Sequence, residues 1–557
     1  MFEIINIWFK YIFKPDIFFF KFIAIYVTIY IIGGKNLIKI DNVKVYSDLN
    51  IIELKELICK KYKIDINDIS DFHISKKSID ARDKSKVHYV YSFNIFCKNE
   101  NKYSRYIVNE EDIKEDIVLK RNSKFRPVIV GFGPAGMFCA LELIKYGIKP
   151  IILEQGKKVE ERIKDVEEYK KTAKVNELSN VQFGEGGAGT FSDGKLNTGT
   201  HSVYIKKVLE TFTNFGAPEE ILYLNKPHIG TDNLVKIVKN IREYIISNGG
   251  DILFNSKFTD FEVDGGKVVS AIYNGTEKIE TDTIILAMGH SSRDLFNLLK
   301  VKNIKMERKN FSVGVRIEHP QTLINESQYG DKTDLKLPPA DYKLVYHGEN
   351  NRSCYSFCMC PGGEVIASSS EKESIVTNGM SNFSRNGKNA NSALLVNVTP
   401  DDFNGSDVLA GVEFQRKLEK EAYILGGSNG CAPAERVGDF LNSSGKADNN
   451  KVIPTYKPGV KFTDLNLLFP DYITQTLKEA LKYFGKKIKG FDMNEAVLTA
   501  VETRSSSPVK VIRDENTFMS VSVKGLYLSG EGPGYAGGIT SSAVDGIKVA
   551  HSIILNK

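Results

Sequence analysis

The stretch PVIVGFGPAGMFCALELIKYGIKPIILEQG, residues 127–156, decides the fold. A short apolar run leads into a glycine-rich turn, a helix with one apolar face follows, and a second apolar run ends at Glu154. Two buried strands joined by a helix form a βαβ unit, which requires a parallel sheet. The sequence therefore predicts an α/β protein.

The glycines of this turn have the spacing GxGxxG. Gly131 permits a sharp turn, Gly133 lets backbone approach a pyrophosphate, and Gly136 lets the helix pack closely on the strand. The N–H groups at the start of the helix favour phosphate oxygens, and Glu154 can accept hydrogen bonds from an adenosine ribose. The turn is predicted to bind a dinucleotide. Its neighbouring candidates for cofactor binding are Pro134, Ala135 and Gln155.

The turn alone leaves FAD and NAD(P) open. Two distant segments, TIILAMGHSSRD at 283–294 and GLYLSGEGPGYAGGI at 525–539, resemble motifs of the glutathione-reductase-like flavoproteins. In those proteins the second motif ends in Gly-Asp, whereas Glu531 stands here. The resemblance implies FAD, with the N-terminus of the last helix facing the flavin. The implied FAD-binding residues are Ala287, Gly289, Gly530, Glu531, Gly537, Gly538 and Ile539.

Two sequence motifs that are absent narrow the class of flavoprotein. No second GxGxxG follows a later strand, so we expect no separate nicotinamide domain. No CxxxxC pair follows the βαβ unit, which argues against a disulfide reductase of that family. NAD(P)H as a transient electron donor is left open.

Further segments resemble a bacterial family of uncharacterised FAD-dependent dehydrogenases, also described as NAD(P)/FAD-dependent oxidoreductases. They include KKSIDARDK, NVQFGEGGAGTFSDGKLNTG, YSFCMCPGGEV, ETRSSSPVKV and GEGPGYAGGI, and the similarity extends over residues 76–539. The resemblance implies FAD binding and redox activity on a substrate that it does not define.

The glycine-rich segment at 183–199 is predicted to form an anion-binding nest near the flavin. An ordinary surface loop is the alternative. We expect Lys195 to place its charge at the pyrimidine edge of the flavin and also count it as a catalytic candidate. The other candidates in this segment are Gly187, Gly189, Thr190 and Ser192.

Three more residues are candidates for catalysis. Cys358 and Cys360 are two apart in a predicted strand, so their side chains should share one face and could form a redox or thiolate pair. Burial as small apolar residues is the alternative. Arg504 could clamp a substrate carboxylate or phosphate, or form a structural ion pair. His290 is interpreted as a local hydrogen-bonding residue.

Composition sets the remaining expectations. Seven cysteines scattered over 557 residues do not form a secreted disulfide framework, which favours the cytoplasm. No zinc-ligand spacing occurs, so no metal is expected. A net charge of +6 is too balanced to imply an obligate nucleic-acid partner, so we expect no DNA and do not favour RNA. We expect a small-molecule substrate, with a redox partner protein as a second source of electrons.

Two rival functions stay open. The weakly basic N-terminal module could grip tRNA, which would make the chain a tRNA-modifying flavoprotein whose RNA binding depends steeply on salt. The other rival is a non-catalytic FAD-binding protein, in which no reductant or substrate would turn over the bound flavin.

The predicted order of domains begins with an apolar extension, 1–34. Its apolar run is short for a membrane anchor. It could also be untranslated, since Gly33-Gly34 could come from a ribosome-binding site and Leu37 from a start codon. A membrane is a partner only if this extension is real. The following parts are a small α+β module at 35–108, a linker at 109–126, an FAD-binding domain at 127–300 and 485–557, and an inserted β-rich substrate domain at 301–484.

Overall fold

A computed structural model describes residues 37–98, 102–103, 107–108, 117–331, 333–349, 351–403, 405–442 and 451–556. The predicted extension at 1–34, with its two interpretations, and the linker up to residue 116 lie outside these ranges. Within them no helix is both long enough and apolar enough to cross a membrane.

The chain divides into two compact units, and the described residues of the smaller one are 37–77, 88–98, 102–103 and 107–108. Its sheet has the strand order β2-β3-β1-β4. Asn50 starts the helix with a capping box, because its side chain accepts from Glu53 N–H and the Glu53 carboxylate accepts in return. The elements are β1 (Leu37–Val45), α1 (Ile51–Tyr62), β2 (Ile69–Asp80), β3 (His88–Cys97) and β4 (Ile107–Val108).

The larger unit, residues 78–87 and from 115 on, begins its first sheet with the βαβ unit that the sequence predicted. The elements of this part are β5 (Val128–Val130), α2 (Pro134–Lys145), β6 (Ile151–Leu153), α3 (Val159–Thr172), α4 (Tyr204–Asn214), α5 (Thr231–Ser247), β7 (Asp251–Leu253), β8 (Phe258–Asp264), β9 (Lys267–Tyr273), β10 (Glu277–Glu280), β11 (Ile284–Leu286) and α6 (Arg293–Val301). Strands β8, β9 and β10 form a separate antiparallel sheet.

A seven-stranded sheet follows, in the order β14-β15-β18-β13-β21-β19-β20, and only its β19–β20 pair is parallel. Its elements, with a small β12–β22 pair and a β16–β17 pair beside it, are β12 (Met306–Arg308), β13 (Phe311–Pro320), α7 (Gln321–Tyr329), β14 (Val345–His347), β15 (Ser353–Cys360), β16 (Glu364–Ala367), β17 (Thr377–Met380), β18 (Asn389–Val398), α8 (Ala410–Leu425), β19 (Ala432–Arg436), α9 (Val437–Phe440), β20 (Val460–Phe462), α10 (Asp471–Lys487), β21 (Val497–Glu502) and β22 (Val509–Val511).

Strand β21 lies beyond residue 484, where the sequence ended the inserted domain, yet it pairs with β13 inside this sheet. Every residue of β21, and every residue of β13 but the last, is buried, so both strands are covered on their two faces. The sequence pattern of either strand alone does not indicate which sheet it joins.

The chain ends with β23 (Leu526–Leu528) and α11 (Ile539–Ile554). Strand β23 completes a parallel sheet of order β23-β11-β5-β6-β7. The α/β class is thus confirmed. Helix α11 packs on α2, and Gly546 allows the close approach because a Cβ there would collide with the carbonyl of Ala135.

Candidate functional site

Three neighbouring parallel strands, β5, β11 and β23, end at one edge of the sheet, and a glycine follows each of them. Gly131 after β5 donates from its N–H to the Leu153 carbonyl at 2.8 Å. It has φ +99°, and a Cβ would lie 2.5 Å from the Ala287 carbonyl oxygen. Only glycine fits this turn. Gly289 and Gly530 hold the corresponding places after β11 and β23, also at positive φ.

Two helices start at this edge, and neither N-terminus has a side-chain cap. Gly133 precedes α2, whose first residue is Pro134, and Gly538 precedes α11. The N–H groups of a first helical turn have no partner inside the helix, and the helix dipole makes this end positive. Residues from both N-termini line one cavity. The cavity therefore suits an anion between two positive helix ends.

Most of the residues singled out in the sequence line this cavity. They are Gly131, Gly133, Pro134, Ala135, Glu154, Gln155, Gly187, Gly189, Ser192, Lys195, Ala287, Gly289, Cys358, Arg504, Glu531, Gly537, Gly538 and Ile539. Four others do not line the cavity, although each is close in sequence to a residue that does. They are Gly136, Thr190, Gly530 and Cys360.

Glu154 is buried, and backbone N–H groups hold its carboxylate. Oε1 accepts from Gly156 at 2.9 Å and from Gly184 at 3.0 Å, while Oε2 accepts from Phe132 at 2.9 Å. A carboxylate oxygen can accept two hydrogen bonds, so Oε2 retains one acceptor position. The side chain faces the cavity at the end of β6, where a ribose hydroxyl could reach that position.

The glycine-rich loop packs against both helix starts. A Cβ on Gly187 would lie 3.1 Å from Gly133 Cα, and one on Gly189 would lie 3.2 Å from a side-chain carbon of Ile539. Ser192 lines the cavity and donates to the Gly189 carbonyl at 2.7 Å. Thr190, in contrast, turns inward and donates to a carbonyl of its own loop, so it supports the loop rather than the cavity.

The space beside the cavity glycines is open. A Cβ on Gly289, Gly537 or Gly538 meets no atom within 4 Å, and one on Gly133 meets only Gly187 Cα, at 3.7 Å. No neighbouring atom of the protein therefore excludes a side chain at these positions, although the positive φ of Gly289 and Gly538 still favours glycine there. Their lack of side chains leaves room for a ligand, which fits the pyrophosphate and flavin of a dinucleotide.

Lys195 faces the cavity from the loop within a charged cluster. Its Nζ lies 2.6 Å from Asp193, whose carboxylate also receives two hydrogen bonds from Arg385 at 2.6 and 2.9 Å. Burial lowers the pKa of Lys195, but Cys360 and Asp193 raise it more, so the ammonium stays charged. Two cations share one carboxylate here, which leaves net positive charge at this wall.

The two cysteines differ in environment, contrary to the expectation that they share a strand face. The pairing of β15 with β18 shifts register between Phe357 and Cys360, and Cys358 takes φ +45°. This bulge interrupts the alternation of side chains. Cys358 is exposed and lines the cavity, whereas Cys360 is buried, and its Sγ lies 3.2 Å from the carbonyl oxygen of Cys358.

Arg504 lines the cavity, but its guanidinium is hydrogen-bonded to two other side chains of the protein. It donates to the carboxylate of Glu419 at 3.0 and 3.2 Å and to Ser370 Oγ at 2.5 Å. Glu419, fully buried, also accepts from Arg293 at 2.7 and 2.8 Å. The structural ion pair, one of the two interpretations from the sequence, is therefore present.

His290 and Glu531 face each other across the ends of β11 and β23. His290 Nδ1 lies 3.4 Å from Glu531 Oε1, and both side chains line the cavity. Burial, together with Arg504 and Arg293, lowers the pKa of His290 to about 3, so the ring is neutral. Burial raises the pKa of Glu531 to about 7, against the attraction of Lys309.

Sequence reasoning missed Glu502, a buried cavity residue at the end of β21. It lies 3.5 Å from Arg316 and 3.4 Å from Thr377 Oγ1. Burial raises its pKa to about 7. No motif marked it, since its neighbours come from distant segments. Asp193 was quoted only as part of the glycine-rich segment, and its proximity to Lys195 was the available signal.

Within the described ranges, no three or more His, Cys, Asp or Glu side chains are grouped so that they could hold a metal ion.

Family models match three parts of the chain. Residues 310–505 match the C-terminal domain-like model of FAD-dependent proteins, and residues 125–314 match the pyridine nucleotide-disulphide oxidoreductase model. Residues 38–96 match a domain of unknown function. The first two models together cover the cavity-lining elements from β5 through β21, whereas the N-terminus of α11, which also lines the cavity, lies beyond them.

An uncharacterised protein of Clostridium beijerinckii is 48% identical over 522 residues, which cover 92% of this chain and 97% of that one. A digeranylgeranylglycerophospholipid reductase of Haloferax volcanii is 25% identical over 119 residues, 21% of this chain and 27% of its own. A glycine oxidase structure from Bacillus cereus is 12% identical, covers 78% of this chain and 96% of its own, and gives a TM-score of 0.35. The chain belongs, with the Clostridium protein, to a family of FAD-dependent oxidoreductases.

Proposed function

We propose that the protein is an FAD-dependent dehydrogenase or reductase that transfers a hydride through flavin N5, with a small molecule as its substrate. Its FAD domain would be of the glutathione-reductase-like type, with the seven-stranded sheet as the substrate side. One observation carries the proposal. A single cavity is lined by two uncapped helix N-termini, by Glu154 and by polar groups of β15 and β21.

The dinucleotide end of FAD would be held by backbone and by one carboxylate. The first-turn N–H groups of α2 would bind the pyrophosphate beside Gly133. Glu154 would accept from the adenosine ribose through the position left on Oε2. Because this carboxylate is already fixed by three backbone donors, it would bind the ribose without further ordering.

The flavin end would meet positive charge. The N-terminus of α11 and the ammonium of Lys195 both border the open part of the cavity. When bound, the flavin supplies the hydride chemistry, and these two groups would stabilise the negative charge that develops on reduction. Gly537 and Gly538 leave the space that a planar ring needs.

The substrate side would use groups of the seven-stranded sheet. Hydride transfer between flavin and substrate is accompanied by transfer of a proton, and Glu502 is a buried cavity carboxyl with a pKa of about 7, suited to hold or release it near neutral pH. Arg504 would be a positioning residue, because its donors are directed at Glu419. Side chains of the sheet would also keep water from the reacting atoms.

Electrons would come from transiently bound NAD(P)H, and anaerobic reduction of the FAD-loaded full chain tests this. The flavin absorbance should bleach with NADH or NADPH much faster than that of free FAD at the same concentration. If dithionite bleaches the flavin but neither nucleotide does, the electron donor is a redox partner protein rather than NAD(P)H. A bound flavin that not even dithionite reduces would contradict the oxidoreductase proposal itself.

We also propose a cytoplasmic location, because the described cysteines are all free thiols and a reducing compartment would keep them so.

A further inference from the structure

The bulge in β15 places two thiols differently at the cavity wall. Cys358 is exposed and lines the cavity, while Cys360 is buried and does not line it, and Cys360 Sγ lies 3.2 Å from the carbonyl oxygen of Cys358. Pro361 and Gly362 follow at once, and Gly362 has φ +50°, so the strand cannot continue. One thiol is thus accessible and the other is close behind it.

The surroundings of the thiols are positively charged. Lys195 Nζ lies 4.0 Å from Cys360 Sγ, and Arg316 donates to the Cys358 carbonyl at 2.7 Å. Asp193, the nearest acid to Lys195, is shared with Arg385. Positive charge stabilises a thiolate as it forms, which is the condition for thiol–disulfide chemistry.

We propose that Cys358 and Cys360 are a redox couple that exchanges an electron pair with the bound flavin, and that the substrates of this site are thiols or disulfides. This rests on the proposed function, which supplies the flavin as electron carrier. When the Sγ–Sγ bond forms, both S–H bonds break and two electrons leave with one proton to the flavin. The second proton goes to water. In the reverse direction the Sγ–Sγ bond breaks, and both sulfurs regain protons.

The surroundings make the pair a better electron donor than acceptor. Partial loss of hydration at the cavity wall raises the pKa of the Cys358 thiol, and burial raises that of Cys360 to about 11, while Lys195 acts against both shifts. A dithiol that is not stabilised as thiolate is more readily converted to its disulfide. Glu502, whose charge acts on Cys358, is a base at hand for the accessible thiol. Electrons that reach the flavin from NAD(P)H would therefore leave through this pair to a substrate disulfide. Cys358 Sγ attacks the substrate disulfide and one substrate thiol leaves; Cys360 Sγ then attacks Cys358 Sγ, the Sγ–Sγ bond forms, and the second substrate thiol leaves.

A reductive titration tests the pair without knowledge of the substrate. The FAD-loaded full chain is oxidised with ferricyanide, desalted and titrated anaerobically with dithionite. The wild type should consume a second electron pair per FAD beyond the pair that bleaches the flavin. Cys358→Ser and Cys360→Ser should consume one pair only, while Cys431→Ser, in a loop outside the cavity, should behave as wild type. Uptake of one pair by the oxidised wild type would overturn the inference.

Peptide mass mapping gives a readout that does not depend on variants. Trypsin releases residues 353–372, and cleavage after Phe357 separates Cys354 from the pair. After oxidation the fragment that begins at Cys358 should resist alkylation and weigh two hydrogens less. Two alkylated cysteines in that fragment would contradict the couple. A flavin that is absent or not bleached contradicts the proposed function instead, so the two failures are distinguishable.

Discussion

Glu154 Oε1 accepts a hydrogen bond from the backbone N–H of Gly184 at 3.0 Å. This contact joins the end of β6 to the start of the glycine-rich loop, and the loop in turn packs on the first residues of α2 and α11. The carboxylate that would bind the ribose therefore also shapes the wall that would hold the flavin.

Replacement Glu154→Gln should lower both stability and FAD affinity. An amide NH₂ would face a backbone N–H and leave a buried donor unpaired, at a cost of about 1–3 kcal/mol. Urea unfolding of the FAD-free protein measures the first effect, and FAD titration followed by flavin fluorescence measures the second. Glu161→Gln, an exposed change on α3, is the control. Unchanged stability would contradict the role of the three backbone contacts.

Glu419→Gln should destabilise the protein by about 3–5 kcal/mol, since two buried guanidinium groups would lose their shared carboxylate. Glu421→Gln on the same helix, whose partner Lys417 is exposed at 3.8 Å, should change stability by less than about 0.5 kcal/mol. Equal effects of the two substitutions in urea unfolding would contradict the importance of the buried cluster.

The buried Glu419 carboxylate also predicts how the unfolding free energy changes at acid pH. Arg293 and Arg504 overcome the cost of burial and hold the pKa of Glu419 far below its usual range. A carboxyl with a depressed folded pKa contributes stability above its unfolded pKa of about 4.3, and this is lost as pH falls. The unfolding free energy of wild type should therefore fall more steeply below about pH 5 than that of Glu419→Gln. Parallel pH curves would contradict this assignment.

Glu502→Gln should show the opposite pH dependence. Its folded pKa of about 7 exceeds the unfolded value of about 4.3. Between these pH values the unfolded chain has released a proton that the folded protein still holds, so the wild type loses stability as pH rises. Relative to wild type, the variant should gain about 2–4 kcal/mol over that interval and nothing more above it. Glu364→Gln, exposed on β16, is the control. A pH-independent difference would contradict the raised pKa.

Lys195→Met should slow alkylation of Cys358. Lys195 lowers the pKa of this thiol against burial, so loss of its charge raises the pKa and reduces the thiolate fraction. A rise of about one pKa unit gives an alkylation rate about 10-fold lower near neutral pH. Iodoacetamide labelling followed by mass spectrometry measures the rate, with Lys206→Met, on the exposed face of α4, as the control. An unchanged rate would show that the charge of Lys195 does not lower the pKa of the Cys358 thiol.

Local chemistry made part of this structure predictable. The GxGxxG turn at 131–136 requires a positive φ and a helix N-terminus without a side-chain cap. Consecutive residues of the sequence specify both. The α/β class and the strand–turn–helix at the C-terminus followed from the same kind of signal. The sequence predicted a β-rich inserted domain, but it did not indicate that β21, which lies beyond the predicted end of that domain, pairs with β13.

The site chemistry that depends on distant partners was not predictable. Arg504 meets Glu419 across 85 positions, and nothing near Arg504 in the sequence indicates that carboxylate. The bulge that separates Cys358 from Cys360 arises in the pairing with β18, so a rule of strict alternation placed both on one face. Glu502 became a cavity residue only through the sheet.

FAD titration of two glycine variants tests the central claim most directly. Gly133 has an extended backbone that alanine can adopt, and its Cβ would be 3.7 Å from Gly187, so the chain should accept Gly133→Ala. That methyl would occupy the place of the pyrophosphate. Gly199→Ala adds a methyl in open space outside the cavity. We predict that wild type and Gly199→Ala bind FAD with an oxidised-flavin spectrum and that Gly133→Ala folds but does not. A wild-type protein that remains colourless after incubation with FAD would contradict the account.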